Sequence, residues 1–151
     1  MFTALRRVVT LSWGERQLLV TVAVSLVMSR ALLTTAGLDR THRVIDRVVR
    51  VLPPNTTIQD PEEIPWAVNA TAECVPLYFS CLMRAIVGER LFAKNGYRTE
   101  LHLGVTKDTG FEAHAWVEHD GEVVVGDLDD HDRFQPLDTF QSNGSVEILH
   151  N

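Results

Sequence analysis

The chain has 151 residues, 45% of them hydrophobic, and a formal net charge of −6 from 20 acidic and 14 Lys or Arg side chains. That length accommodates one domain of ordinary size, here residues 1–151, with a sufficient core, and the acidic balance argues against a nucleic-acid partner. Two cysteines make no disulfide framework, so a reducing cytoplasm is the expected setting.

The first element is a helix over about Trp13 to Thr34, started by Ser12 with Glu15 in capping-box spacing. Its apolar run, Leu18 to Met28, follows Arg6 and Arg7 and superficially suggests a signal peptide. Arg16 and Arg30, however, bracket a stretch shorter than the about 20 apolar residues of a membrane span. Ser29-Arg30-Ala31 also puts a charge inside any small-residue cleavage site. A buried helix without a membrane anchor is expected. A second helix, about Arg40 to Val51, stops at Pro53-Pro54 and completes an N-terminal helical part over residues 1–52. Pro53 to Pro65 reads as a surface connection.

Leu82 to Asn95 has helix length and no proline, Ser80 can cap its start, and Gly96 sits where a left-handed residue ends a helix. Cys81 thus falls at or just before the first turn. There the helix dipole and unpaired N–H groups favour a thiolate over a thiol whose free pKa is about 8.5, and can stabilise an oxyanion. Cys74 precedes Val75-Pro76 in a segment that reads as an entry loop, which puts the nucleophile at Cys81.

Arg98 to Thr106 alternates as a strand, and Lys107 to Gly110 supplies a turn into a second strand, Phe111 to Glu118. Asp120-Gly121 is a strong hairpin signal, and Glu122 to Asp127 returns as a third strand. Counting outward from that turn, His119 faces Glu122, and continuing one residue at a time places His114 opposite Asp127. Such pairs have Cβ atoms about 4.5 to 5.5 Å apart, within reach of an imidazole–carboxylate hydrogen bond. Beyond Asp130, Phe134, Leu137 and Phe140 are expected to fold back over the sheet, and Val146 to Leu149 forms a short terminal strand. Three antiparallel strands on one helix give an α+β fold.

Each residue alone has a plainer reading. A cysteine is commonly a small buried hydrophobe, a strand histidine a satisfied core or surface group, and Asp127 the start of an acidic turn. Together, Cys81, His114 and Asp127 are the nucleophile, base and orienter of covalent acyl transfer. Trp116 reads as core packing, His102 as structural, and Glu118 and His119 as solvated. Neither Cys-x-x-Cys nor His-x-x-x-His spacing occurs, so no metal and no other cofactor is expected.

Cys81-Leu82-x-x-Ala85, with Leu91 and Gly96 following, then Leu101-His102-Leu103-Gly104-Val105 and Ala113-His114-Ala115-Trp116-Val117-Glu118, resembles the transglutaminase-like cysteine peptidases that mature bacterial lasso peptides. Val75-Pro76 is similar to that family too, and the resemblance is concentrated over residues 70–135. It implies a papain-like core of one catalytic helix on an antiparallel sheet, with Cys81 as nucleophile, His114 as base and acid, and Asp127 as orienter. It further implies removal of the leader from a ribosomally made precursor before a separate ATP-dependent cyclase closes the macrolactam. Many members of that family fuse an N-terminal recognition domain, so a chain of this length resembles the peptidase half of a split system. The implied partners are the precursor leader and a small leader-recognition protein of winged-helix type. A transamidating acyltransferase would use the same thioester, and an inactive scaffold would bind peptide without cutting it.

Overall fold

The computed structural model describes residues 11–51, 58, 60–106, 110–128, 133–141 and 146–148. Ser12 and Glu15 form the expected reciprocal cap: Ser12 Oγ accepts from Glu15 N–H at 3.2 Å, and Glu15 Oε2 accepts from Ser12 N–H at 2.7 Å. Helix α1, Trp13–Thr35, follows and runs through both bracketing arginines. It is long and apolar enough to cross a membrane by length and composition alone. In the fold, Leu18, Val22 and Leu26 are buried in the core. Ser25 and Ser29, small and fully buried, share the inward side, and Ser29 Oγ donates to the Leu26 carbonyl at 2.8 Å.

Helix α2, Leu38–Val51, buries Thr41, Ile45 and Val49, a spacing of four that keeps one face inward. Its stop at Pro53-Pro54 lies outside the described residues. The connection expected up to Pro65 is shorter than the sequence suggests, because a third helix, α3, spans Glu63–Cys74 and buries Ile64, Ala67, Val68 and Thr71. Pro65 lies in its first turn, where the missing N–H has no intrahelical acceptor to serve. Cys74 is therefore the exposed last residue of a helix and not part of an entry loop.

Helix α4, Cys81–Lys94, is the centre of the fold. Ser80 Oγ accepts from Met83 N–H at 3.4 Å, and Gly96 closes the far end with φ +83°. Ala85, Ile86, Val87, Leu91 and Phe92 are buried among the helices and the sheet. Glu89, fully buried, is ion-paired with Arg90, which reaches Asp46 on α2 at 3.4 Å; His42 Nε2 lies 3.1 Å from Glu89 Oε2. Charge pairing in the interior thus joins α2 to α4.

Strands β1 (Glu100–Thr106), β2 (Glu112–His119), β3 (Glu122–Val125), β4 (Gln135–Gln141) and β5 (Val146–Ile148) form one antiparallel sheet in the order β3-β2-β1-β4-β5. The turn expected at Lys107 to Gly110 lies mostly outside the described residues. Asp120 and Gly121 both have positive φ, 51° and 81°, as a two-residue hairpin loop requires. The segment after Asp130 does not fold back over the sheet as a whole: it extends the edge, β4 pairing with β1. One sheet face, with Leu101, Ala115, Val117 and Val125, belongs to the same core as α4. By strand alternation His102, Gly104, His114 and Trp116 share the other. The result is an α+β fold with helices first and the sheet last.

Candidate active site

The site lies where α4 begins and β3 ends. Cys81 is the first residue of α4, half-buried, with Ser80 as its cap. Because the cap satisfies Met83 N–H, the Leu82 N–H remains available and donates to the thiol. Two further hydrogen bonds come from β2: the Ala115 backbone N–H donates to the sulfur, and the His114 ring bonds it, accepting from the thiol when neutral and donating to the thiolate as the imidazolium. Burial pushes the Cys81 thiol up, but these hydrogen bonds and the nearby His114 charge together hold its pKa below the ordinary thiol value. The structure thus brings two of the three sequence-derived residues, Cys81 and His114, into direct contact.

Asp127 stands differently from its expected place. Outward from the turn, His119↔Glu122 and Glu118↔Val123 follow the simple count, but the next pair is Val117↔Val125. One extra residue in β3 makes a β-bulge, and every later pairing is displaced by one. The ladder also ends at Val125, so the register that set His114 opposite Asp127 is corrected: Asp127 lies two residues beyond the last pair, and is exposed. Gly126, between them, turns the chain with φ +86° and approaches β2 so closely that a Cβ there would lie 2.7 Å from the Ala115 carbonyl oxygen. Its own carbonyl accepts a 2.6 Å hydrogen bond from His114 Nε2. A carbonyl can only accept, so this bond fixes the Nε2–H tautomer and leaves Nδ1 as the basic nitrogen.

The rest of the lining comes from side chains that sequence reasoning passed over or read otherwise. Phe134, just before β4, is buried with its ring centroid 5.2 Å from that of His114, and Arg133 lies over the same phenyl ring at 5.0 Å. Trp116 is 2% exposed, as a packing residue should be. Glu118 and His119 are not simply solvated. Glu118 Oε1 accepts from Trp116 Nε1–H at 2.8 Å, and His119 Nδ1–H donates to the Arg98 carbonyl at 2.8 Å with its ring against Phe92 and Tyr97. His102 is held by Thr139 Oγ1 at 3.0 Å, in keeping with its structural reading. Gly126 carried a partial signal, since a glycine ending an apolar strand marks a bend; Phe134 was expected over the sheet but not against His114, and the Ala115 N–H carried no signal. Among the described residues no group of three or more His, Cys, Asp or Glu side chains is placed to hold a metal ion.

A thiol held toward thiolate, a histidine of fixed tautomer against it, and backbone N–H groups around the sulfur can attack a carbonyl and move one proton twice. The family model described as "Transglutaminase-like superfamily" matches residues 2–139. No curated protein and no solved structure matches the chain.

Proposed function

The chain belongs to the transglutaminase-like superfamily, which includes cysteine peptidases and acyltransferases, and on that premise we propose that it is a cysteine peptidase removing the leader from a lasso-peptide precursor. The observation that carries the reading is the contact of the Cys81 thiol with His114 at the start of α4, with the thiol held below its ordinary pKa. The leader specificity rests on the resemblance of the Cys81, Leu101–Val105 and Ala113–Glu118 segments.

In the proposed reaction the Cys81 thiolate attacks the carbonyl of the last leader residue, forming a C–S bond and a tetrahedral oxyanion. The Leu82 N–H at the start of α4 stands beside that centre. Collapse breaks the C–N bond while the His114 imidazolium gives its proton to the departing core amine. Water, losing a proton to His114 Nδ1, then attacks the thioester, releasing the leader carboxylate and regenerating the thiolate. The Gly126 carbonyl keeps the ring in the productive tautomer throughout. Asp127, next in the chain after Gly126 and exposed, has a secondary part in this reading. The precursor leader, a separate winged-helix leader-recognition protein and the ATP-dependent cyclase are the partners in this reading, and the cytoplasm its setting. Recognition by a separate protein would raise local substrate concentration and needs no change at the site.

The test is mass spectrometry of a lasso precursor incubated with the chain and a cognate recognition protein, comparing wild type, Cys81→Ala and Cys74→Ala. A single cut at the leader–core junction, lost only in Cys81→Ala, supports the peptidase. A product carrying an added amine in place of the free carboxylate points to transamidation. Binding without any cut sinks the enzyme reading, and loss in Cys74→Ala alone moves the nucleophile.

A further inference from the structure

Trp116 is held from three sides in a manner that packing alone does not require. Its Nε1–H donates to Glu118 Oε1 at 2.8 Å, which pins the ring's rotation. Its six-membered ring occupies the place of a side chain missing at Gly104, the residue paired with His114 on β1: a Cβ there would lie 2.7 Å from Trp116 Cζ3. Its faces meet two imidazoles almost in parallel, His114 at 5.9 Å and 15°, and His102 at 5.3 Å and 17°. His102 is fixed in turn by Thr139 and faces the carboxylates of Glu100 and Glu118, each at 3.5 Å.

We propose that Trp116 is a positioning residue for His114, seated by Gly104 and pinned by Glu118 so that its π face holds the imidazole plane and favours the imidazolium. The proposal deepens the thiol-peptidase reading and rests on it. An indole face within about 6 Å of a cation attracts it, and more strongly where water is excluded. At 2% exposure Trp116 is such a place. The thiolate forms as Cys81 passes its proton to His114 Nδ1, so whatever favours the imidazolium favours the thiolate. Other charged groups on the elements that carry and flank the pair are Asp127 after Gly126, the Arg133–Glu112 ion pair at 2.7 Å, with Arg133 over Phe134, and Arg84 in the first turn of α4. None of these is changed by the substitutions below.

The experiment follows the rate of Cys81 alkylation by iodoacetamide against pH in the full chain, with Cys74 as internal reference and sites assigned by mass spectrometry. It needs no peptide substrate. Trp116→Leu should move the pH midpoint of Cys81 reactivity upward by about half to one unit, an effect of the size one cation–π contact supplies. Trp116→Phe should restore most of the shift. Gly104→Ala, which keeps the indole but unseats it, should move the midpoint the same way as Trp116→Leu. Replacing all tryptophans by 5,7-difluorotryptophan weakens the π face with little change of shape, so it serves if the substitutions fail to fold, and it should also raise the midpoint. A purely structural tryptophan predicts lower thermal stability with an unmoved midpoint. An unmoved midpoint in the folded variants and in the fluorinated protein overturns the proposal while leaving the nucleophile intact. Cys81 no more reactive than Cys74 in wild type overturns both.

Discussion

His114 Nε2 and the Gly126 carbonyl oxygen are 2.6 Å apart, and this bond gives the histidine its tautomer from the main chain. It depends on a glycine at 126 twice over, through φ +86° and through the 2.7 Å approach of any Cβ to the Ala115 carbonyl. The carbonyl orients but carries no full charge, whereas the Asp127 carboxylate carries charge from an exposed position.

From this separation of roles, Gly126→Ala should lower kcat by on the order of 10²-fold or more, because a misplaced catalytic group forfeits that much. Asp127→Ala should cost roughly 10-fold, less than the about 10⁴-fold loss that follows when the sole orienter of a histidine is replaced. Single-turnover cleavage by both variants checks this. A loss in Asp127→Ala as large as that in His114→Ala would return the orienting role to the carboxylate.

The bulge that separates Asp127 from His114 shows where sequence reasoning reached its limit. Ser12 with Glu15, Ser80, Gly96 and Asp120-Gly121 were legible because caps and turns are satisfied locally, by groups a few residues apart. Nothing in Val123-Val124-Val125 marks an extra residue, since three valines suit a regular and a bulged strand alike. Helix α3 was hidden by Pro65, which reads as a breaker but sits in a first turn that tolerates it. Strand β4 and the burial of Phe134 against His114 depend on pairing with β1, distant in sequence, and local pattern does not encode it. The approach of Cys81 to His114 was legible in part because the helix start and the strand that carry them each announce themselves.

The pH dependence of Cys81 has a definite sign. Burial alone raises the thiol pKa, and the hydrogen bonds from His114, Ala115 and Leu82 together with the His114 charge more than reverse it. His114→Ala removes two of the opposing contributions and leaves most of the burial. Iodoacetamide reactivity of wild-type Cys81 should therefore develop at a pH below the ordinary thiol value of about 8.5, and that of His114→Ala at a higher pH than wild type. Equal midpoints would mean that His114 does not govern the thiol.

The interior ion pair makes a separate prediction about stability. Glu89 is fully buried and Arg90 nearly so, and Arg90 also reaches Asp46 across the α2–α4 interface. Arg90→Met preserves much of the buried stem but removes the charge facing Glu89. His42 Nε2 remains 3.1 Å from Glu89, so the loss should fall at or below the about 3 to 5 kcal/mol of a fully stranded buried charge, a fall in Tm of up to roughly 10 °C for a chain of this size. Scanning calorimetry measures it. Retained alkylation of Cys81 below the new Tm would place the loss in the fold and not in the site.

Ser80 joins stability to chemistry, because it caps α4 immediately before Cys81, the proposed nucleophile. Its Oγ accepts from Met83 N–H, and loss of such a cap costs about 0.5 to 2 kcal/mol. In Ser80→Ala the first turn of α4 should fray, so that Leu82 N–H donates to the Cys81 thiol only part of the time. The midpoint of Cys81 reactivity should then rise with only a small loss in Tm. Ser80→Asp, which restores a capping acceptor, should recover the stability. Its carboxylate beside the sulfur disfavours the thiolate, so the midpoint should rise further than in Ser80→Ala. From Ser80→Ala to Ser80→Asp the melting temperature and the alkylation midpoint should therefore both rise, which separates the stability of the helix start from the thiolate character of Cys81. A Ser80→Asp midpoint at or below that of Ser80→Ala would show that the sulfur does not sense charge at that position.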